Sequence, residues 1–339
     1  MDKSKIKDLF KPIGSNRQYL DDEKITVPSL TFFHEAWIHL KHNKSAMVSL
    51  WILIILFILA FGSLLWSPSN PDVTHPAFTN LPPKIPGVPI PGLNGTLVEG
   101  GQRINAYAKA GLGSHVFFLC GTDDLGRDLF SRMLYGTRIS LTIAVIATLL
   151  DLTIGVTYGL ISGWKGGKVD NIMQRFIEIM LSLPDLVIMI LLILIMKPGI
   201  TAIILAISLS SWIGMARLIR GQTLSIKNNE YVIAARALGE KPFKIALKHL
   251  LPNLSSVIII NTMFTAPSAI FFEAFLSYIG IGIRAPQASL GTLISNGQSN
   301  FEFLPYQMWC PAIILVLIMI AFNLLGDGLR DAFDPRAKR

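Results

Sequence analysis

The sequence predicts an all-α polytopic membrane protein with six transmembrane helices, and three observations carry that reading. Of its 339 residues 51% are hydrophobic and only 15% are charged, where soluble domains carry about 25% charged residues; the mean hydropathy is +0.52. Four stretches, 45–67, 198–216, 249–272 and 304–326, hold no Asp, Glu, Lys or Arg, and each reaches the ~20 residues that an α-helix needs to cross a bilayer. Lys and Arg concentrate on alternate connections: 22 of the 30 fall in 1–44, 164–175, 217–248 and 327–339. The positive-inside rule then places both termini in the cytoplasm. The net charge of +8 is thereby a matter of topology, and the partner it requires is the lipid bilayer, with no nucleic acid.

The elements follow in order. Residues 1–44 form a cytoplasmic arm of mixed charge. It ends in a surface helix at "FFHEAWIHLKHNK", where Phe33, Trp37 and Leu40 share a face. The first span, 45–67, is no signal peptide: it follows 44 polar residues, is long for an h-region and lacks a convincing small-residue cleavage site. An outer segment, 68–138, comes next. Its first part is too rich in proline for a helix or a central strand and is expected as extended, polyproline-like coil.

Then "GTDDLGRDLFSRMLYGTRISL" (121–141) offers Thr122 or Asp123 as a helix cap. Leu125, Leu129, Phe130, Met133 and Leu134 make an apolar stripe, so an interfacial helix is expected that turns at Gly136 into the second span. A core of five spans occupies 139–327, followed by a short tail at 328–339. The second span holds Asp151. The third, about 172–196, holds Glu178 and Asp185, with Pro184 expected to kink it. Cys120 and Cys310 both fall near the outer face; a disulfide between them is open, although free thiols are the commoner state for such a pair.

The stretch "EYVIAARALGEKPFKIALKHLLPN" (230–253) is basic and lies between two greasy runs. Tyr231, Ala234, Ala235 and Leu238 recur at helical spacing. Gly239 suits a left-handed helix end, and Pro242 the first turn of a new helix. Phe243, Ala246, Leu247 and Leu250 make the next apolar face, with Lys241, Lys244 and Lys248 on another. Leu251, Pro252 and Asn253 are expected to break that helix before the fifth span. The lysines alone fit contact with anionic lipid, at about 1 kcal/mol each. The alanine pair followed by a glycine turn fits a docking partner better.

This stretch resembles the cytoplasmic loop of the membrane subunits of binding-protein-dependent ABC importers. That loop reads Glu-Ala-Ala, three residues, Gly, nine residues, an aliphatic position, one more, then Leu-Pro. Ala234, Ala235, Gly239, Leu251 and Pro252 match the spacing, while Ile233 replaces the Glu and His249 the aliphatic residue; Glu230, one turn earlier, is a candidate substitute. "GWKGGKVDNIMQRFIEIMLSLPDL" (163–186), "EAFLSYIGIGI" (273–283) and "GDGLRDAFDPR" (326–336), with 121–141, narrow the likeness to the C-type permease of the oligopeptide/dipeptide/nickel branch. The likeness runs from about residue 33 to the C-terminus.

The resemblance implies a type I importer permease fold whose loop 221–250 carries a coupling helix, with Glu230, Ala234, Ala235, Arg236, Gly239, Lys241, Phe243 and Pro252 on the ATPase-coupling surface. It implies a sister permease, two ATP-binding subunits and an extracellular peptide-binding lipoprotein. The chain has no G-x-x-x-x-G-K-[ST], so no cofactor is expected on it, and ATP and Mg belong to partner subunits. Carboxylates within the spans are costly unless paired or hydrated; Asp151, Asp185 and Glu273 are candidates for the translocation path, or else contacts between helices. A nickel chelate, glutathione or another peptide-like solute is the alternative cargo. An ion-coupled secondary carrier is the alternative class, disfavoured by the lack of a visible internal repeat.

Overall fold

The computed structural model describes residues 32–66, 71–113 and 115–333; the expected arm before residue 32 and the end of the tail lie outside them. Helix α1 (Phe32–His42) leads into α2 (Lys44–Trp66), the first span. Asn43 separates them and caps α2, its Oδ1 accepting from the Ala46 amide at 3.2 Å. Leu40 is buried with Ala46 and Leu325, but Phe33 and Trp37 are exposed. One helical face therefore divides between a neighbouring span and the surroundings.

The outer segment is a folded lobe rather than extended coil. Its proline-rich part is irregular apart from a 3₁₀ turn at Pro76–Phe78. Beyond it, β1 (Thr96–Glu99) pairs antiparallel with β2 (Gln102–Asn105), Leu97 opposite Ile104. Gly100 and Gly101, both at positive φ (59° and 80°), supply the two-residue turn such a hairpin requires. A short helix, α3 (Ala106–Lys109), is capped by the Asn105 side chain. Tyr107 is fully buried between Leu81 and Ala106, and its hydroxyl donates to the Pro82 carbonyl at 2.9 Å. Burial pushes this phenol up to about 12, so it stays a donor at neutral pH.

Helix α4 (Leu129–Lys165) runs unbroken through Gly136. No interfacial helix turns there, and the cap is neither Thr122 nor Asp123 but Asp128, which accepts from the Phe130 and Ser131 amides. Gly136 lies inside the helix because the backbone of Ser289 and Leu290 presses on it, within 3.1 Å of where a Cβ would stand. Thr122 and Asp123 instead fasten the approach: Thr122 Oγ1 donates to Phe78 O and accepts from the Leu81 amide, while Asp123 binds Arg127 at 2.7 Å.

The third span is a broken one. Helices α5 (Gly167–Leu181) and α6 (Asp185–Met196) meet at 80°. Pro184, with no amide hydrogen to continue the ladder, precedes α6. Helix α7 (Ile200–Ile226) is the fourth span, followed by α8 (Glu230–Ala237). Helix α9 (Pro242–Ile245), a π-turn (Ala246–Leu250) and α10 (Leu251–Tyr278) form one rod from Pro242 to Tyr278. Leu251, Pro252 and Asn253 therefore do not break the chain of helix: Pro252 sits in the first turn of α10, where the wider π-turn before it makes room for the ring. Helices α11 (Leu290–Ser299) and α12 (Tyr306–Phe333) complete the order. Among the described residues five helices are long and apolar enough to span, or six with the bent pair as one.

The centre of the bundle is the seam between α4 and α7. Gly155, Gly159 and Gly163 recur every fourth residue on α4, so no side chain separates the two backbones. A Cβ on Gly159 would stand 2.5 Å from Ala216 O and 2.8 Å from Ile219 Cβ; one on Gly155 would meet Met215 Cβ at 2.6 Å and one on Gly163 Thr223 Cβ at 2.7 Å. This is the small-xxx-small packing that membrane helices use to approach closely.

Candidate functional site: a helical elbow and a cavity

The α8–α9 elbow is built from local rules. Gly239 has φ +78°; the Gly239 amide donates to Arg236 O at 2.9 Å and the Glu240 amide to Ala235 O at 3.1 Å. Those two bonds make a Schellman ending, and Pro242 opens the next helix. The inner face consists of Val232, Ala235, Ile245 and Leu250, all buried against Leu160, Trp164 and Ile226. Each of the three larger side chains contributes roughly 1.5–3 kcal/mol by its burial.

The expected apolar face of α8 is thus only partly the buried one. Ala235 points in, while Tyr231, Ala234 and Leu238 point out. Leu238 is 85% exposed, Phe243 75% and Leu247 50%, with Ile233 beside them. Large apolar side chains stand outward on an elbow whose other face is already closed.

Charge braces the turn. Glu240 binds His249 Nε2 at 2.9 Å and Lys244 Nζ at 3.2 Å, with Lys248 at 4.0 Å. The hydrogen bond from Lys244, then that from His249, holds its carboxyl below the usual range. His249, standing where the related loop has an aliphatic residue, is therefore part of the brace. Glu230 is exposed in the first turn of α8, as are Lys241 in the turn and Arg236 on α8. The Arg236 guanidinium lies 4.2 Å over the Trp164 ring, and Lys227 Nζ donates to Gly163 O at 2.9 Å. The elbow is consequently joined to the inner end of α4 as well as to α7 and α10.

A second anchor sits nearby. Asp170, in the first turn of α5, takes two hydrogen bonds from Arg220 of α7, at 2.6 and 2.7 Å, and one from Ser162 of α4 at 2.5 Å. This planar two-point pairing fixes orientation as well as distance. It ties the broken span to the seam.

On the other side of α7 lies a cavity of about 260 Å³ between α6, α7 and α10, with Asp185, Ser210, Ser211, Asn261, Thr265 and Ser268 among its walls. Of the three expected path carboxylates only Asp185 lines it. Asp151 is buried behind the wall, where Thr265 donates to its Oδ2 at 2.9 Å; its Oδ1 has no protein partner among the described residues. Glu273 is fully buried elsewhere, accepting from Ser140 at 2.6 Å and Ser277 at 2.9 Å, with Ser289 also bonded to it. It joins α4, α10 and the start of α11. Glu178 is exposed and paired with Arg175. The cavity's hydroxyls, amide and one carboxylate stand among a larger apolar wall that includes Met189, Ile207, Phe264 and Phe272. Among the described residues no group of His, Cys, Asp and Glu could hold a metal ion.

The Gly155/Gly159/Gly163 seam has a signal in the sequence, the i, i+4, i+8 spacing of its glycines. The Asp170–Arg220 pair, fifty residues apart, has no local signal.

A bundle of span-length apolar helices around an internal cavity defines the class of polytopic helical membrane proteins. Residues 155–339 match the model of "Binding-protein-dependent transport system inner membrane component", and residues 31–83 that of "N-terminal TM domain of oligopeptide transport permease C". The chain is 46% identical over 323 residues to the dipeptide transport system permease protein DppC of Lactococcus lactis subsp. cremoris, covering 93% of this chain and 94% of that one. It is 38% identical to the oligopeptide transport system permease protein OppC of Bacillus subtilis, covering 98% of each. A solved chain of the MetNI methionine ABC transporter shares the fold, with a TM-score of 0.50 at 18% identity over 60% of this chain and 97% of that one. The chain belongs to the inner-membrane components of binding-protein-dependent transport systems, in the branch of the peptide permease C proteins.

Proposed function

We propose that the chain is one of two permease subunits forming the translocation path of an ATP-driven importer of dipeptides or oligopeptides, and that the elbow is where an ATP-binding subunit grips it. The names of its relatives support the cargo. A sister permease completes the path, an extracellular binding lipoprotein delivers peptide, and two ATP-binding subunits hold the ATP and Mg. The chain itself is not the ATPase. Its Lys and Arg distribution supports cytoplasmic termini in a bacterial plasma membrane.

The observation that carries the coupling is the outward stance of Leu238 and Phe243 on an elbow packed tight on its inner side. Motion applied there travels by rigid parts. The rod from Pro242 to Tyr278 is continuous, and it carries Asn261, Thr265 and Ser268 of the cavity wall. Arg236 on Trp164 and Lys227 on Gly163 pass the same motion to α4, which the glycine seam binds to α7. Closure of the ATP-binding subunits would thus tilt cavity-lining helices as packed units, the bistable behaviour expected of such transitions. In the cavity, the Asp185 carboxylate is placed to attract a peptide's ammonium group.

The test is the double variant Leu238→Glu/Phe243→Glu. Buried interface anchors cost about 2 kcal/mol or more when lost, roughly a thirtyfold weakening. Copurification of the ATP-binding subunit and peptide uptake should both fall by that order, with the melting temperature of the permease unchanged. Undiminished uptake would remove the proposal.

A further inference from the structure

The outer lobe is seated on the start of α12. Tyr306 Oη donates to Leu81 O at 3.0 Å and to Thr122 O at 3.3 Å; Gln307 Nε2 donates to Thr122 O at 3.0 Å and to Asn80 Oδ1 at 2.9 Å. The fit is close at Gly121, where a Cβ would stand 2.5 Å from Leu81 O and 2.7 Å from the Tyr306 ring. Cys120 is the residue before that contact, and Cys310 lies one helical turn beyond Tyr306. Both are half-buried, and both pack on the cluster of Leu129, Met133, Ala288 and Leu293. The two cysteines therefore flank one contact and share one packing cluster, with their thiols near each other. These are the chain's two cysteines.

We propose that Cys120 and Cys310 are a dithiol–disulfide couple that staples the outer lobe, and with it the outer start of α4, to α12. Two cysteines packed on one cluster, on elements held together by four hydrogen bonds and by the close fit at Gly121, need little backbone movement to meet disulfide geometry. The oxidant is a small-molecule or protein disulfide. One thiolate attacks it, forming a mixed disulfide and releasing one thiol. The second cysteine's thiolate then displaces the other thiol. The S–S bond forms, the reagent disulfide is reduced to two thiols, and the two cysteine protons end on those thiols. The reduced form keeps the same lobe contacts through Tyr306 and Gln307; the oxidised form makes them covalent.

Access from the extracellular side rests on the orientation proposed above, and the test separates the two. The purified complex is incubated with oxidised glutathione, alkylated with a maleimide, and its permease chain weighed intact. The expected chain carries no maleimide or glutathione, is lighter by two hydrogens, and takes two maleimides after reduction. Cys120→Ser or Cys310→Ser should instead accumulate one glutathione adduct, because the displacing thiol is gone. Two maleimides after oxidation, glutathione on both cysteines, or a link to another chain would overturn the couple. In intact cells a membrane-impermeant maleimide should label the reduced pair; no labelling, with the disulfide still forming in the purified complex, would overturn the orientation and leave the couple standing.

Discussion

The glycine seam and the elbow use small residues in opposite ways. At Gly155, Gly159 and Gly163 the missing side chain is filled by another helix of the same chain, down to 2.5 Å from a carbonyl oxygen. At Gly239 nothing lies within 4 Å of an added Cβ; there glycine is required by a φ of +78° alone, and the surrounding apolar groups face outward. The seam is complete within the molecule, whereas the elbow, on the function proposed above, is completed by a partner. Stability should therefore reside in the first and coupling in the second, and substitutions can set one against the other.

The largest effect is expected at the seam. Gly159→Leu must push α4 off α7, with a loss of about 3 kcal/mol from overpacking, read as a fall in melting temperature and in assembled complex. Gly214→Ala on α7, with nothing within 4 Å of the new Cβ, should hold or slightly raise stability, since alanine favours helix by up to about 1 kcal/mol. Equal losses at both positions would dissolve the seam as a distinct region.

Next in size, Asp170→Asn removes the charge from the two-point contact with Arg220. A broken, partly buried ion pair costs about 3–5 kcal/mol when fully enclosed, and less here because Arg220 keeps some exposure. The variant should loosen α5 from α7 and lower the melting temperature by less than Gly159→Leu does. Gly239→Ala is smaller again. Its left-handed backbone costs a non-glycine residue roughly 1–2 kcal/mol, confined to the elbow, so association with the ATP-binding subunit should weaken while global stability holds.

The smallest effect concerns pH. The Glu240 carboxyl is held below its ordinary range, so its support for the turn is fully present above the unfolded value, about 4.3, and is lost as pH falls through the lower folded value. Association with the ATP-binding subunit should weaken on acidification below that unfolded value. Glu240→Gln, which removes the same charge, should abolish that acid dependence and show the weakened association already at neutral pH.

The two regions also differ in how far the sequence discloses them. The elbow was legible because its determinants are neighbours: Gly239 ends one helix, Pro242 starts the next, and both spans flank it. Which of its faces points inward was not legible, since the cluster that buries Val232 and Ile245 includes Leu160 and Trp164, far away in the chain. The spans were legible from hydropathy, and the break at Pro184 from the missing amide, though not its 80° extent. The helix through Gly136 and the hairpin at 96–105 escaped for related reasons. A glycine looks like a turn until the backbone filling its place is known, and the prolines of 68–92 draw the eye from the hairpin beyond. Of the three carboxylates that the sequence offers alike for the path, Asp185 lines the cavity, while Glu273 is enclosed by serines from three parts of the chain. Ala235, expected on the docking surface, packs inside the elbow, so Ala235→Arg would test folding of the elbow rather than its grip.

The most direct measurement places a photo-activated cross-linking residue at Phe243, or at Leu238, in the assembled and transporting complex. The account predicts a covalent product with the ATP-binding subunit from both positions. Products with lipid alone, from a complex that still imports peptide, would contradict it.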